Sequence, residues 1–246
     1  NVVEVNQTYR LGRTMVDVIR NVLPFCNGME SIRPHASDTL FLPVLLERSK
    51  NWHHASEPDQ PREVVRDNYF FAHALALVAL EVVVLASRTS QSFEPVDGII
   101  IIDFRNRVLD AFERLLFHEL RSVCMNLHRA ANLTDANVRS ELYEYKNLKD
   151  RGLLFLRSAE PAGGFDRRVS IVFGEHRQEA DEAWEGDMCR KNNILVALSR
   201  ASERCHVIIE DLRKWVTVPR GGPLREECQM LLPRHHLGLW HAAKPG

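Results

Sequence analysis

Glycine followed by lysine never occurs in this chain of 246 residues. Its absence removes G-x-x-x-x-G-K-[ST], the loop whose backbone N–H groups and lysine cradle phosphates. The chain therefore cannot hold a nucleoside triphosphate in the P-loop manner on its own. Cysteine is sparse and unpatterned. Cys26, Cys124, Cys189, Cys205 and Cys228 are odd in number, widely spaced and form no C-x-x-C. That pattern suggests neither a disulfide framework nor a zinc cage, and fits a reducing compartment best. No long uninterrupted apolar run is present. The closest, FFAHALALVALEVVVLA over 70–86, is broken by His73 and Glu81 and falls short of the ~20 residues of a membrane span. There is no signal-peptide pattern, no internal repeat and no G-x-S-x-G elbow. Charge of one sign is lacking too. Lys and Arg number 32 against 33 Asp and Glu, so any basic surface must be local. An initiator Met is also missing, and the expectation is a piece of a longer intracellular protein, cytoplasmic or nuclear.

What remains is an ordinary globular composition, 45% hydrophobic and 26% charged, large enough to bury a real core. Short apolar runs alternate with longer helical ones. TLFLPVLLE (39–47) predicts a strand, and Arg62 to Ser87 a long helix that is apolar on most sides and hence buried. Gly98-Ile-Ile-Ile-Ile-Asp103 predicts a strand covered on both faces. From Arg105 to about Arg129, Val108, Leu109, Phe112, Leu115, Leu116 and Leu120 recur at helical spacing. Leu153–Leu156 and Val169–Phe173 predict two more strands, and a helix over about Ile194–Glu203 leads to a strand over His206–Ile209. Five strands alternating with helices predict an α/β fold, a parallel sheet with helices on both faces. The polar segment Asn126–Arg151 reads as an insertion or a long crossover. Residues 217–246 read as a peripheral extension.

Several chemical signals are weak. Asp181-Glu182-Ala183-Trp184 looks like an acidic magnesium box, but the polar residues Glu175–Ala180 precede it instead of the apolar strand such a box needs, which favours a solvated face. His118-Glu119 lacks a second ligand, with Ser122 in its place. His53-His54 and His235-His236 lack a third ligand. The sequons at Asn6 and Asn132 are short enough to arise by chance. The helix at 105–129 carries Arg105, Arg107, Arg114, Arg121 and Arg129 against Asp110, Glu113 and Glu119, a mixed solvated face.

Four stretches, in order, carry a stronger signal. Val5-Asn-Gln-Thr-Tyr9-Arg10-Leu11-Gly12 is similar to a Tyr-Arg-Met segment that opens a helix. Ile101-Ile-Asp103-Phe104-Arg105-Asn-Arg107-Val108 resembles a strand-to-helix step, "I-T-P-Y-x-x-Q-V". Ser158-Ala-Glu160-Pro-Ala-Gly163-Gly164-Phe165-Asp166 resembles "S-V-D-x-x-Q-G-x-E". Ile194-Leu195-Val196-Ala197-Leu198-Ser199-Arg200-Ala201 resembles "L-N-V-A-L-T-R-A" and is the specific one. Together, over about 1–216, they resemble motifs IV to VI of the second RecA-like domain of superfamily 1 helicases, in the branch of the nonsense-mediated-decay helicase and senataxin. Departures are clear. Gly163 stands for Gln, Leu195 for Asn, and Asn192-Asn193 for two Arg. Apart from any family, Arg200 interrupts an apolar run, and an Arg there is either paired in the core or aimed across an interface at an anion.

The resemblance implies a RecA-like sheet and the C-terminal motor domain of an ATP-dependent RNA or DNA helicase. ATP and Mg²⁺ would be held mainly by an absent N-terminal RecA-like domain. This chain would supply Arg10 and Arg200 in trans to the γ-phosphate, from one lip of the sheet and facing outward. Tyr9 would stack near the nucleotide base, although a half-buried aromatic at a helix start fits it equally. Gly164 and Asp166 would line the nucleotide, while a plain tight turn also explains the glycines. Arg157 and Ser158 would contact the backbone of single-stranded RNA or DNA, against a plain surface Arg. The departures support an alternative, a catalytically degenerate helicase-like module that serves as a scaffold for a protein partner. An unrelated flavodoxin-like domain would show itself by its sheet order.

Overall fold

Four consecutive isoleucines organise the molecule. In the structure, a computed structural model, residues 7–23, 26–33, 38–45, 62–88, 92–103, 109–134, 138–158, 165–173 and 187–209 are described. The elements run β1 (Gln7–Thr8), α1 (Arg13–Val22), β2 (Glu30–Ser31), β3 (Leu40–Leu45), α2 (Arg62–Ala86), β4 (Ile99–Asp103), α3 (Leu109–Ala130), α4 (Tyr145–Asp150), β5 (Leu154–Ser158), β6 (Arg167–Phe173), α5 (Asp187–Leu198) and β7 (Ala201–Ile209). All five residues of β4 are buried. Because side chains alternate along a strand, Ile99 and Ile101 enter one core with α2 and α3. Ile100 and Ile102 enter a second core with α1 and α5. Each such side chain contributes on the order of 1.5–3 kcal/mol of burial.

The main sheet is parallel throughout, in the order β3-β7-β6-β4-β5. Helices cover both faces, as the alternating pattern predicts. Counted along the chain within this sheet, the order is 1-5-4-2-3, which is not the flavodoxin-like 2-1-3-4-5. Gly98 enters β4 where no side chain fits, since a Cβ would lie 2.4 Å from the Leu153 carbonyl oxygen. On the α2–α3 side, Phe173 of β6 meets Phe70 and Phe112 edge-on at 5.0 and 5.1 Å, a favoured ring geometry. The described residues of the segment 126–151 form the second half of the β4–β5 crossover, with Leu142, Tyr143 and Leu148 buried. No described helix is long and apolar enough to cross a membrane.

Two features differ from the sequence expectation. α5 ends at Leu198, and β7 starts at Ala201, so Arg200 stands in the turn between them and not within a helix. The reason is pairing: Ala201 already aligns with Arg167, and the Arg167 N–H donates to the Arg200 carbonyl at 3.0 Å. The second is the parallel pair β1–β2, two residues per strand, too short to leave a pattern. The predicted strand-to-helix step at Phe104–Val108 and the acidic box at 181–184 lie outside the described residues, as does the extension 217–246.

Candidate functional site

The turn that carries Arg200 lies at the N-terminal edge of the sheet, and Asp166 immediately precedes β6 at the same edge. Arg10 arrives there from the far end of the chain, just after β1. The three side chains meet. Arg10 Nη2 is 2.7 Å from Asp166 Oδ2, and Arg200 Nη1 is 3.2 Å from Asp166 Oδ1. Arg10 is half exposed and Asp166 one-third exposed, but the Arg200 side chain is only 9% exposed. The expectation that both guanidiniums face outward is therefore met by Arg10 alone. Arg200 is drawn in by the last turn of α5. Its Nε donates to the Val196 carbonyl at 3.0 Å and its Nη2 to Ser199 Oγ at 2.9 Å. Burial lowers the Arg200 pKa from the ordinary arginine value. Asp166 opposes that shift and the like charge of Arg10 adds to it.

Local structure holds each arginine. The Arg10 N–H donates to Thr8 Oγ1 at 3.3 Å, and its carbonyl accepts from Arg33 Nη1 at 3.0 Å. The same Arg33 nitrogen donates to the Ser202 carbonyl at 2.9 Å, so Arg33 ties the Arg10 backbone to the start of β7. Gly12 lets the chain turn into α1 against residues 38–39: a Cβ would lie 2.0 Å from Asp38 Oδ1 and 2.5 Å from the Thr39 nitrogen. Asp38 in turn caps α1, accepting from the Thr14 hydroxyl at 2.5 Å and from its N–H at 3.2 Å. A carboxylate there complements the orphan N–H groups and the positive end of the helix.

A third arginine, which the motifs do not flag, follows Asp166 directly. Arg167 is buried at 7% exposure. Its guanidinium lies 4.3 Å over the Phe155 ring and 6.0 Å from that of Phe165. It donates from Nη1 to the Asp166 carbonyl at 2.7 Å, while its Nε has no hydrogen-bond partner. Burial lowers its pKa, against the pull of Asp166. The signal available in the sequence is the Asp166-Arg167-Arg168 run at a strand start, where charge interrupts an otherwise apolar element.

The remaining predicted residues scatter. Tyr9 adjoins Arg10 and is 78% exposed, not half-buried. Arg157 lies on β5 with its guanidinium 5.5 Å over the Phe165 ring, so it joins the aromatic flank of the cluster. Ser158 aligns through Asp103 with Phe173, at the C-terminal edge, about 20 Å away along β6. Gly164 lies outside the described residues. Among the described residues no three His, Cys, Asp or Glu side chains could hold a metal ion.

Two guanidiniums on one carboxylate, with Arg167 next in sequence, leave a local excess of positive charge in a chain whose net charge is −1. Chemically, that arrangement suits an oxyanion, here the Asp166 carboxylate, since guanidinium forks match carboxylate and phosphate. No protein-family profile matches the chain, and no curated protein matches it. Among solved structures, it is similar to the C-terminal domain of a possible DNA helicase from Lactobacillus plantarum WCFS1. The identity is 11% and the TM-score 0.34, over 82% of this chain and 87% of that one. A likeness that weak decides nothing about chemistry, and the geometry of the cluster stands on its own.

Proposed function

We propose that this chain is the second, arginine-bearing half of a two-domain ATP-dependent motor on single-stranded RNA or DNA. One observation carries the reading: Arg10 and Arg200, from opposite ends of the described chain, converge on a single anion at one edge of a parallel sheet. Phosphoryl transfer spreads charge over the γ-phosphate oxygens, and guanidiniums from a neighbouring domain stabilise it. ATP and Mg²⁺ would sit on a P-loop domain that this chain lacks, with Arg10 and Arg200 entering its cleft and Tyr9 beside the base. Cleft closure and opening would then move the two domains along the strand. The test is Arg200→Ala in the longer protein that the reading requires. ATP turnover falls by about 10³-fold or more if Arg200 is the finger; an unchanged rate ends the assignment.

A second reading has its own observation. The crossover forms an open groove of about 570 Å³ between α3 and α4, lined by Asp110, Glu113, Arg114, Phe117, Tyr145 and Lys149 among others. Phe117 is 62% exposed there. An apolar ring rimmed by charge suits a protein partner, as a helicase-like scaffold would need. An intact P-loop elsewhere in the parent protein favours the motor, and its absence favours the scaffold.

A further inference from the structure

We infer that Asp166 is a built-in substitute for the incoming phosphate, a carboxylate that occupies Arg10 and Arg200 while the site is empty and is displaced when a phosphate chain enters. This rests on the phosphate-site reading above and adds the regulation of that site.

The alternative is that Asp166 holds the arginines in place, and for the Arg200 guanidinium the contacts speak against it. Arg200 is fixed without Asp166, through Nε to the Val196 carbonyl and Nη2 to Ser199 Oγ. The Arg10 backbone is fixed without it, through Thr8 Oγ1 and Arg33. Asp166 is itself poorly satisfied, since its Oδ1 is buried, lies 3.2 Å from Arg200 Nη1 and makes no hydrogen bond. A carboxylate that served as scaffold would be saturated, as Glu203 is nearby. Arg88 Nη2 reaches both Glu203 oxygens at 3.1 and 2.8 Å, and Arg168 Nη1 adds a third contact at 3.3 Å.

Charge points the same way. Among the described residues, Asp166 is the one carboxylate in contact with Arg10 or Arg200, and adjacent Arg167 has none. A single negative charge against the two positive ones of Arg10 and Arg200 leaves the site under-neutralised, and a di- or triphosphate supplies what is missing. The Arg10–Asp166 pair is also the open one. With Arg10 half exposed, solvent screens the pair and holds it weakly, so exchange begins there. Asp166 then swings away and leaves Arg200 Nη1 to the ligand.

Titration of this chain with inorganic tripolyphosphate, without metal and at constant ionic strength, tests the inference by calorimetry. Asp166→Asn removes the competing charge and keeps the shape, and is expected to bind about tenfold more tightly than wild type, or better. Adding Arg200→Ala to Asp166→Asn abolishes the gain. Binding by Asp166→Asn that equals or falls below wild type overturns the displaceable anion, while wild-type binding that needs Arg10 and Arg200 leaves the phosphate site standing. No binding by any variant removes the phosphate site itself and the inference with it. Asp166→Ser, judged by the same sign of change with folding checked by circular dichroism, replaces Asp166→Asn if the latter misfolds.

Discussion

Glu81 is a charge in the middle of an apolar helix. It is 2% exposed and survives there because Arg204 reaches it with two nitrogens, at 2.9 and 2.6 Å, and His206 Nε2 with a third at 2.8 Å. Burial pushes its pKa up, but hydrogen bonds from His206 and Arg204 and their charges outweigh that and hold it at about 2, against an ordinary 4.5. A depressed folded-state pKa stabilises above the unfolded value and loses that contribution as pH falls through the folded one. Glu81 thus contributes in full above about pH 4.5 and progressively less down to about pH 2. The urea midpoint of the wild type should fall across that window more steeply than that of Glu81→Gln. Glu81→Ala leaves half-buried Arg204 with only the longer contact to Glu203 at 3.8 Å and takes the carboxylate from buried His206, and should cost about 1–3 kcal/mol in urea unfolding; no measurable loss would show that water solvates the gap. The interruption at Glu81 is visible in the sequence as a break in FFAHALALVALEVVVLA. Its partner Arg204 lies 123 residues on, where no periodicity could point.

At the level of elements, β4 and its neighbours were the most readable part of the chain. A β-branched run with a preceding glycine has one good solution, a strand buried on both faces, and the structure adopts it over Ile99–Asp103. Gly98→Ala should force the β4–β5 register apart, because the new Cβ would meet the Leu153 carbonyl at 2.4 Å. Backbone on both sides cannot give as a flexible side chain could. A loss of about 1–3 kcal/mol, read by thermal unfolding, is expected, and an unshifted melting temperature would mean that the strands part freely. The helix at Leu109–Ala130 was equally readable, since Leu109, Phe112, Leu116, Leu120, Cys124 and His128 line its buried face. The end of α5 was not. Local propensity in Ile194–Glu203 permits a helix, and only pairing of Ala201 beside Arg167 turns those residues into strand. Tertiary contacts override a weak local preference there.

For the molecule as a whole, the sheet order puts the starts of β6 and β7 side by side, which brings Asp166 to Arg200. The β1–β2 ribbon, tied by Arg33 to Ser202, carries Arg10 to the same edge. On the proposed function, the cluster would form half of a phosphate site, with cationic groups and no P-loop. This chain alone should show no ATP hydrolysis with Mg²⁺, and addition of a P-loop domain that it recognises should restore turnover. Turnover by the isolated chain, followed by phosphate release, would contradict a two-domain site.

Fold class was legible because it depends on short-range patterns: alternation of apolar runs, the glycine before β4 and helical spacing in α2 and α3 suffice for a parallel α/β sheet. The pairing of Arg10 and Arg200 could be suspected only through motif resemblance. Their common carboxylate, the burial of Arg200 and the entry of Arg167 arise from strand order and from the turn at Ser199–Arg200. Contacts between residues far apart along a chain leave no periodic trace in it. Electrostatic balance at such a site is set by which distant charges the packed sheet brings within a few ångströms of each other.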